Sequence, residues 1–269
     1  MLENAKQEFF NYVKNFPQID GVILKKMHTM RVMKYGGIIA ESLDMSEKDI
    51  ELAKLCCLLH DIGRFEQWIR YNTFVDRKSV NHALLGYELL QNKSFRRKFY
   101  ADESLDEIVL CAVKNHSALD IPDDISERQK LFLQITRDAD KLDIIYMGYK
   151  ELESMWNVMA IQDDSILSEE ALTAFREHRL VIRSKIKTSL DDMACIFSFV
   201  YDLNFPISYA ILDKQGTHLD SIKMVINKCN NPVAKRQLAW VLEQVDSFVS
   251  EQACKLSNSQ KENFQLKKT

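Results

Sequence analysis

Residues 52–63, LAKLCCLLHDIG, join an apolar helical segment to a charged pair at its end. The apolar residues leave this segment almost no polar face, so we expect a helix that is buried on most sides. Burying His60 and Asp61 at its end is costly unless a partner compensates them, and a metal cation would do so. The segment therefore predicts a buried helix that ends at a metal site.

The rest of the chain is also patterned for helices. Only 7 glycines and 4 prolines occur in 269 residues, which favours long helices over many strands and turns. The stretch 63–80 lacks clean periodicity and predicts a loop with short helical pieces. The fold class predicted is all-α, with helices at 2–15, 21–43, 47–62, 81–91, 105–116 and 126–160, and a helical region at 168–254 broken at Pro206 and Pro232.

We expect three regions along the chain. Residues 1–160 form a metal-binding core, and residues 161–254 supply additional C-terminal helices packed on the same body. Residues 255–269 are polar and predict a disordered tail.

Composition limits the class of partner. Hydrophobic residues make up 46% and charged residues 28% of the chain, and the formal net charge is -3. That charge gives no electrostatic signature for a nucleic acid polymer or an anionic membrane, and no apolar run approaches the roughly 20 residues that span a bilayer. The six cysteines lack paired spacing and lie mostly in apolar stretches, which predicts buried free thiols in a cytoplasmic protein.

Six residues of two ligand types form the candidate metal site. Four of the six histidines lie among them, in the first half of the chain. Imidazole and carboxylate together suit divalent transition metals such as iron, manganese, zinc, nickel or cobalt. His178 and His218 have no comparable neighbours and are predicted to lie on the surface. The predicted ligands are His28, His60, Asp61, His82, His116 and Asp140.

The adjacent pair constrains how these ligands are shared. Neighbouring side chains on a helix diverge by about 100°, so His60 and Asp61 cannot pinch one ion. At a helix end, the Asp61 carboxylate could instead place one oxygen on each of two ions. His28, His60 and Asp140 would complete the first, and His82 and His116 would serve the second. Open positions would remain for water and substrate, as a catalytic site requires.

Five segments carry a resemblance to a known family: HTMRVMKYG (28–36), LLHDIGRFEQW (58–68), KSVNHALLG (78–86), AVKNHSALDIP (112–122) and RDADKLDII (137–145). Over about residues 20–150 the chain resembles the HD-domain superfamily of metal-dependent phosphohydrolases. The resemblance implies an all-helical fold, metal ligands at the six positions and hydrolysis of phosphoesters. His82 and His116 resemble the subset with two metals.

The resemblance leads to a mechanistic hypothesis. A hydroxide that bridges two metals would attack a small phosphorylated substrate, either a nucleotide or a metabolite, and Mg²⁺ could accompany that substrate. Arg64, Lys78 and Lys114 lie close to ligands in the sequence and are the predicted substrate contacts. Asp61, Arg64 and Lys114 form the predicted catalytic set. Glu66 and Asp138 could orient the side chains that surround the metal ligands.

Several alternatives stay open. The superfamily also contains mixed-valence di-iron oxygenases with a similar set of four histidines and two aspartates, and relatives that act as regulatory modules. The sequence leaves open phosphomonoesters and phosphodiesters, and nucleotides or other small phosphoesters. Residues beyond about 160 could cover the site or form a homodimer face.

Overall fold

The computed structural model describes residues 1–151 and 165–256. Within these ranges the regular structure is helical and contains no strand, which confirms the all-α prediction. The chain divides into two compact units, Met1–Asp140 and Lys141–Thr269. The predicted end of the long helix near residue 160 lies outside the described residues, as do residues 257–269 of the predicted tail.

The helices predicted for the first unit occur in the predicted order, and a further helix, Lys93–Phe99, was not predicted. Proline at position 17 lies between the first two helices, and Ser46 accepts the Asp49 N–H at 3.2 Å to begin the third. The helices are α1 (Leu2–Val13), α2 (Asp20–Ser42), α3 (Glu47–Leu59), α4 (Ile62–Tyr71), α5 (His82–Gln91), α6 (Lys93–Phe99), α7 (Asp106–Asn115) and α8 (Glu127–Lys150), the last of which continues into the second unit.

The prediction of a loop at residues 63–80 was wrong for the first half of that stretch. Ile62–Tyr71 is one helix, in which the side chains of Ile62, Phe65 and Gln67 are buried. It ends at Asn72, which adopts a left-handed conformation with φ 51°. Only the second half is irregular, with a short 3₁₀ turn at Asp76–Lys78.

Two glycines allow helices that carry predicted ligands to approach closely. A Cβ on Gly36 of α2 would lie 2.3 Å from Cys57 Sγ on α3. A Cβ on Gly63 of α4 would lie 2.3 Å from the His82 carbonyl oxygen and 2.5 Å from the Gly86 nitrogen on α5. Glycine at these positions lets α2 pack close to α3 and α4 pack close to α5, because any Cβ would overlap atoms of the neighbouring helix.

The second unit is helical wherever it is described. Pro206 and Pro232 each occupy the first turn of a helix, which confirms the predicted breaks. His178 is exposed as predicted, whereas the prediction for His218 was wrong: its side chain is buried at the start of a helix. The remaining helices are α9 (Glu169–Arg176), α10 (Asp191–Phe197), α11 (Pro206–Gln215), α12 (Thr217–Lys228) and α13 (Pro232–Cys254).

Five of the six cysteines are buried and all six are free thiols, as predicted; Cys254 is exposed. Among the described helices, none combines the length and the apolar character needed to cross a bilayer.

Candidate metal centre

All six predicted ligands lie in the first unit, and all converge on one buried centre. α2 contributes His28 from its middle, and α3 ends just before His60 and Asp61. His82 is the first residue of α5, where the Asn81 side chain caps the helix by accepting the Ala83 and Leu84 N–H groups. His116 follows the last residue of α7, and Asp140 belongs to α8. The structure thus gathers residues that are separated by up to 112 positions.

The first cluster consists of His28, His60 and Asp140. His28 Nε2 lies 3.3 Å from His60 Nε2 and 3.1 Å from Asp140 Oδ1. His60 Nε2 lies 3.6 Å from the same Asp140 oxygen. One potential ligand atom from each of the three residues lies within 4.8 Å of the others, close enough for all three to hold one ion.

The second cluster lies on the other side of Asp61. His82 Nε2 and His116 Nε2 are 3.1 Å apart. Asp61 Oδ1 lies 3.3 Å from His82 Nε2 and 3.8 Å from His116 Nε2. His60, Asp61 and His116 also meet the 4.8 Å spacing, so His60 lies between the two clusters.

The Asp61 carboxylate divides its oxygens between these clusters. Oδ1 faces His82 and His116, whereas Oδ2 lies 3.6 Å from His28 Nε2 and 3.8 Å from His60 Nε2. This is the arrangement expected of a carboxylate that bridges two cations, because each cation would receive its own oxygen.

The outer nitrogens of three imidazoles are held by acceptors. Nδ1 of His60 lies 2.6 Å from the Cys57 carbonyl oxygen, and Nδ1 of His116 lies 2.9 Å from the Val113 carbonyl oxygen. Nδ1 of His82 lies 2.7 Å from Asp76 Oδ2. A carbonyl or carboxylate oxygen only accepts, so each Nδ1 must carry the proton. A ring with a single proton, held at Nδ1 in this way, presents a bare Nε2 lone pair to the centre.

The positions of the Nε2 lone pairs indicate that the centre fits a metal ion. His82 Nε2 and His116 Nε2 face each other at 3.1 Å, and neither has a proton to share when both rings are neutral. Two acceptors at this distance repel, and a cation between them removes the repulsion. The donor set of imidazole and carboxylate therefore fits divalent transition metals. The outer Nδ1 atoms are hydrogen-bonded, and the Nε2 lone pairs point to the centre, as ligation requires.

A family model for the HD domain matches residues 27–145. This match supports the resemblance of this part of the chain to the HD-domain superfamily. HD domains bind divalent metals, and their family membership indicates a metal-dependent hydrolase type of function. The matched range contains all six predicted ligands. Comparison with curated proteins and with solved structures found no match.

Behind His82, the HD domain carries a network of polar side chains. Asp76 accepts from His82 through Oδ2, and its Oδ1 accepts from Arg64 Nη1 at 2.7 Å and from Gln67 Nε2 at 2.9 Å. Gln67 also donates to Ser79 Oγ and to the Val80 carbonyl oxygen. This network fixes the His82 ring, and the sequence interpretation missed both Asp76 and Gln67. The signal that was available is the spacing of Asp76, six residues before a histidine that begins a helix.

Two basic residues flank Asp61, one at each oxygen. Lys25 Nζ lies 2.9 Å from Oδ2, and Arg64 Nε lies 3.4 Å from Oδ1. Lys25 was missed from the sequence, although it precedes His28 by one helical turn on the same face of α2.

The charges around the centre set its protonation state. Burial would raise the pKa of Asp61, but Lys25, His60, Arg64 and His82 outweigh burial and hold it well below its usual range. Burial likewise opposes ionisation of Asp140, yet the neighbouring His28 and His60 rings keep its pKa well below the usual range. Burial lowers the pKa of His82 and lowers that of His116 to about 3. At neutral pH the carboxylates are ionised and these two rings are neutral, as metal binding requires.

The three predicted substrate contacts lie in different places: Arg64 is beside the centre, whereas Lys78 and Lys114 are exposed. Arg64 borders the centre, but its Nη1 donates to Gln67 Oε1, the Phe74 carbonyl oxygen and Asp76 Oδ1. Lys78 is exposed on the 3₁₀ turn. Lys114 is exposed, with Nζ 5.1 Å from the centroid of the Tyr87 ring. Roles for these three residues in substrate binding stay predictions.

The two residues predicted to orient other groups, Glu66 and Asp138, lie in different surroundings. Glu66 forms an ion pair with Arg70 at 2.8 Å, so it acts on the surface of α4 rather than behind a ligand. Asp138 is buried on α8. Asp76, which the sequence did not single out, holds the His82 ring instead.

Proposed function

We propose that this protein is a metal-dependent phosphohydrolase that cleaves a phosphoester in a small phosphorylated substrate, using two divalent transition metals per chain. The observation that carries the proposal is the division of the Asp61 oxygens between two histidine clusters. The second cluster, His82 and His116 beside Asp61 Oδ1, supports a second metal ion.

The reaction follows from the groups at the centre. Two cations there would activate a water molecule and offset the charge that develops on phosphoryl oxygens. Asp61 and Asp140 supply the anionic ligands, and the Asp76–His82 hydrogen bond holds one imidazole in the orientation and tautomer that ligation needs.

A protein thiol is a poor competitor for the role of nucleophile. Cys57 lies closest in sequence to the ligand pair and is buried on α3. Burial raises the pKa of its thiol to about 12, so it carries almost no thiolate at neutral pH. This supports attack by water rather than a covalent cysteine intermediate.

The test begins with metal analysis. We expect protein purified without oxygen to contain two transition-metal ions per chain, and the metal found to support phosphate release from at least one member of a panel. The panel comprises nucleoside monophosphates and triphosphates, cyclic nucleotides, dinucleotides and small phosphoesters.

Variants at the shared ligands supply the control. His60→Ala and Asp61→Ala should each reduce phosphate release to background while circular dichroism shows unchanged helical content. Full activity in either variant would overturn the assignment. Oxygen consumption by an iron-loaded sample, without phosphate release, would instead favour the oxygenase chemistry that also uses four histidines and two aspartates.

A further inference from the structure

Lys25 occupies an unusual place for a basic side chain. Its side chain is 20% exposed, and its ammonium lies 2.9 Å from Asp61 Oδ2, the oxygen that faces the first histidine cluster. Lys25 and His28 are three residues apart on α2, so the lysine borders the centre from the same helix face. It therefore lies between the buried ligands and the solvent.

One terminal nitrogen of Arg64, the other cation beside Asp61, is held by protein acceptors. This nitrogen donates to a carbonyl oxygen and to two side chains, and Asp76 is among them. The Lys25 ammonium differs, because within residues 1–151 and 165–256 the acceptor described for it is Asp61 alone. Its four-carbon stem is flexible and presents a compact charge, so it can exchange one anionic partner for another.

A cation bound by Asp61 and the histidines would change the surroundings of Lys25. The Asp61 oxygen would then serve the metal, and the ammonium would face a like charge a few ångströms away. An anion placed beside both would relieve that repulsion. The carboxylates of Asp61, Asp76 and Asp140 and the cations of Lys25 and Arg64 together carry one negative charge, so two divalent ions would make this group of residues and ions positive.

We propose that Lys25 is a substrate-binding residue whose ammonium moves away from Asp61 and donates a hydrogen bond to a phosphoryl oxygen of the substrate. The charge of Lys25 selects a phosphomonoester dianion over a phosphodiester monoanion. This inference rests on the proposed function for the identity of the site. It adds the residue that recognises the phosphoryl group and the charge state of the substrate.

The test measures anion binding rather than turnover. Inorganic phosphate and dimethyl phosphate are titrated calorimetrically into the metal-loaded full chain at about pH 8, where the former is mainly a dianion and the latter a monoanion. We expect the wild type to bind inorganic phosphate more tightly. Lys25→Gln should weaken phosphate binding roughly 10- to 100-fold, because it removes a charged hydrogen bond, and should reduce the preference over dimethyl phosphate.

Two further variants separate the role of Lys25 from a general effect of charge. Lys26→Gln removes the same charge one position along α2 and should change phosphate binding less than twofold. Lys25→Arg keeps the charge and should retain most of the binding. Metal content, measured for every variant, should stay at the wild-type value.

The possible outcomes are distinct. Equal phosphate binding by the wild type and Lys25→Gln, no phosphate binding by the wild type, or a loss of metal in Lys25→Gln would each overturn the role of Lys25. Phosphate binding that depends on Lys25, in a protein that hydrolyses no phosphoester, would support this inference and contradict the proposed hydrolysis.

Discussion

The His116 ring is surrounded by groups that disfavour a second proton. It is buried, its Nδ1 is held by the Val113 carbonyl oxygen, and its Nε2 faces another imidazole. Burial, together with His60 and His82, lowers its pKa to about 3. A histidine held neutral in this way is ready to bind a metal at any pH above that value.

The stability of the metal-free protein should therefore depend on pH. The unfolded chain binds a proton at His116 near its ordinary pKa of about 6.5, whereas the folded chain does not bind it until about 3. The unfolded state binds more protons in this window, so the free energy of unfolding should fall as the pH decreases from about 7 to about 4.5. Chemical denaturation at several pH values measures it. Near the acid end the Asp and Glu side chains, with ordinary pKa values of about 3.9 and 4.3, also begin to titrate, so the contribution of His116 is taken from the comparison with its variant.

Two substitutions isolate the histidine. His116→Gln should make the slope of unfolding free energy against pH shallower, because the titrating group is gone. Gln91→Ala replaces an exposed residue that does not titrate and should leave the slope unchanged. Identical slopes for wild type and His116→Gln would contradict the explanation.

At the level of helices, the approach of α4 to α5 controls where His82 lies. Gly63 follows the ligand pair by two residues and faces the His82 carbonyl oxygen. Any side chain there must displace the start of α5, since both nearest atoms belong to backbone. The glycine thus connects the position of Asp61 to that of His82.

Gly63→Ala should destabilise the protein by roughly 1–3 kcal/mol through overpacking. It should also move His82 away from Asp61 and lower metal occupancy toward one ion per chain. Denaturant titration and elemental analysis measure the two effects.

The matched control for this substitution is Gly148→Ala on α8. Its Cβ would meet Ile196 Cγ2 at an ordinary 3.4 Å, so we expect no loss of stability and a gain of up to about 1 kcal/mol from helix propensity. A Gly63→Ala variant as stable and as metal-rich as Gly148→Ala would show that the close approach does not matter.

At the scale of the whole molecule, the centre joins elements that are distant in the chain. Its ligands come from α2, the α3–α4 junction, the start of α5, the end of α7, and α8. A ligand that binds only the folded state stabilises it by mass action. Metal should therefore stabilise the packing of the first unit as a whole.

Removing the metal with a chelator should lower the thermal midpoint. At a free metal concentration of about 100 times the dissociation constant, the stabilisation is roughly 2.7 kcal/mol, which corresponds to a shift of several degrees. Differential scanning calorimetry with and without chelator measures it. Asp61→Ala should show a much smaller shift, and an equal shift in that variant would mean that the metal stabilises the protein elsewhere.

Local patterns were sufficient for much of the fold. The apolar run of α3, the Ser46 cap and the breaks at Pro206 and Pro232 are local features, and the helices occur where they predict. Local periodicity did not reveal α4, because its helix depends on burying Phe65 and Gln67 against other elements. His218 was misplaced for the same reason, since burial is set by neighbours distant in the chain.

The sequence by itself determined the helical class and singled out six histidines and aspartates that meet at one buried centre, because ligand chemistry and helix propensity belong to residue type and short spacing. Only the tertiary structure decided which Asp61 oxygen faces which cluster, that Asp76 rather than Glu66 orients a ligand, and that Lys25 reaches Asp61. These are distances between side chains on different helices, and they exist only once the helices have packed.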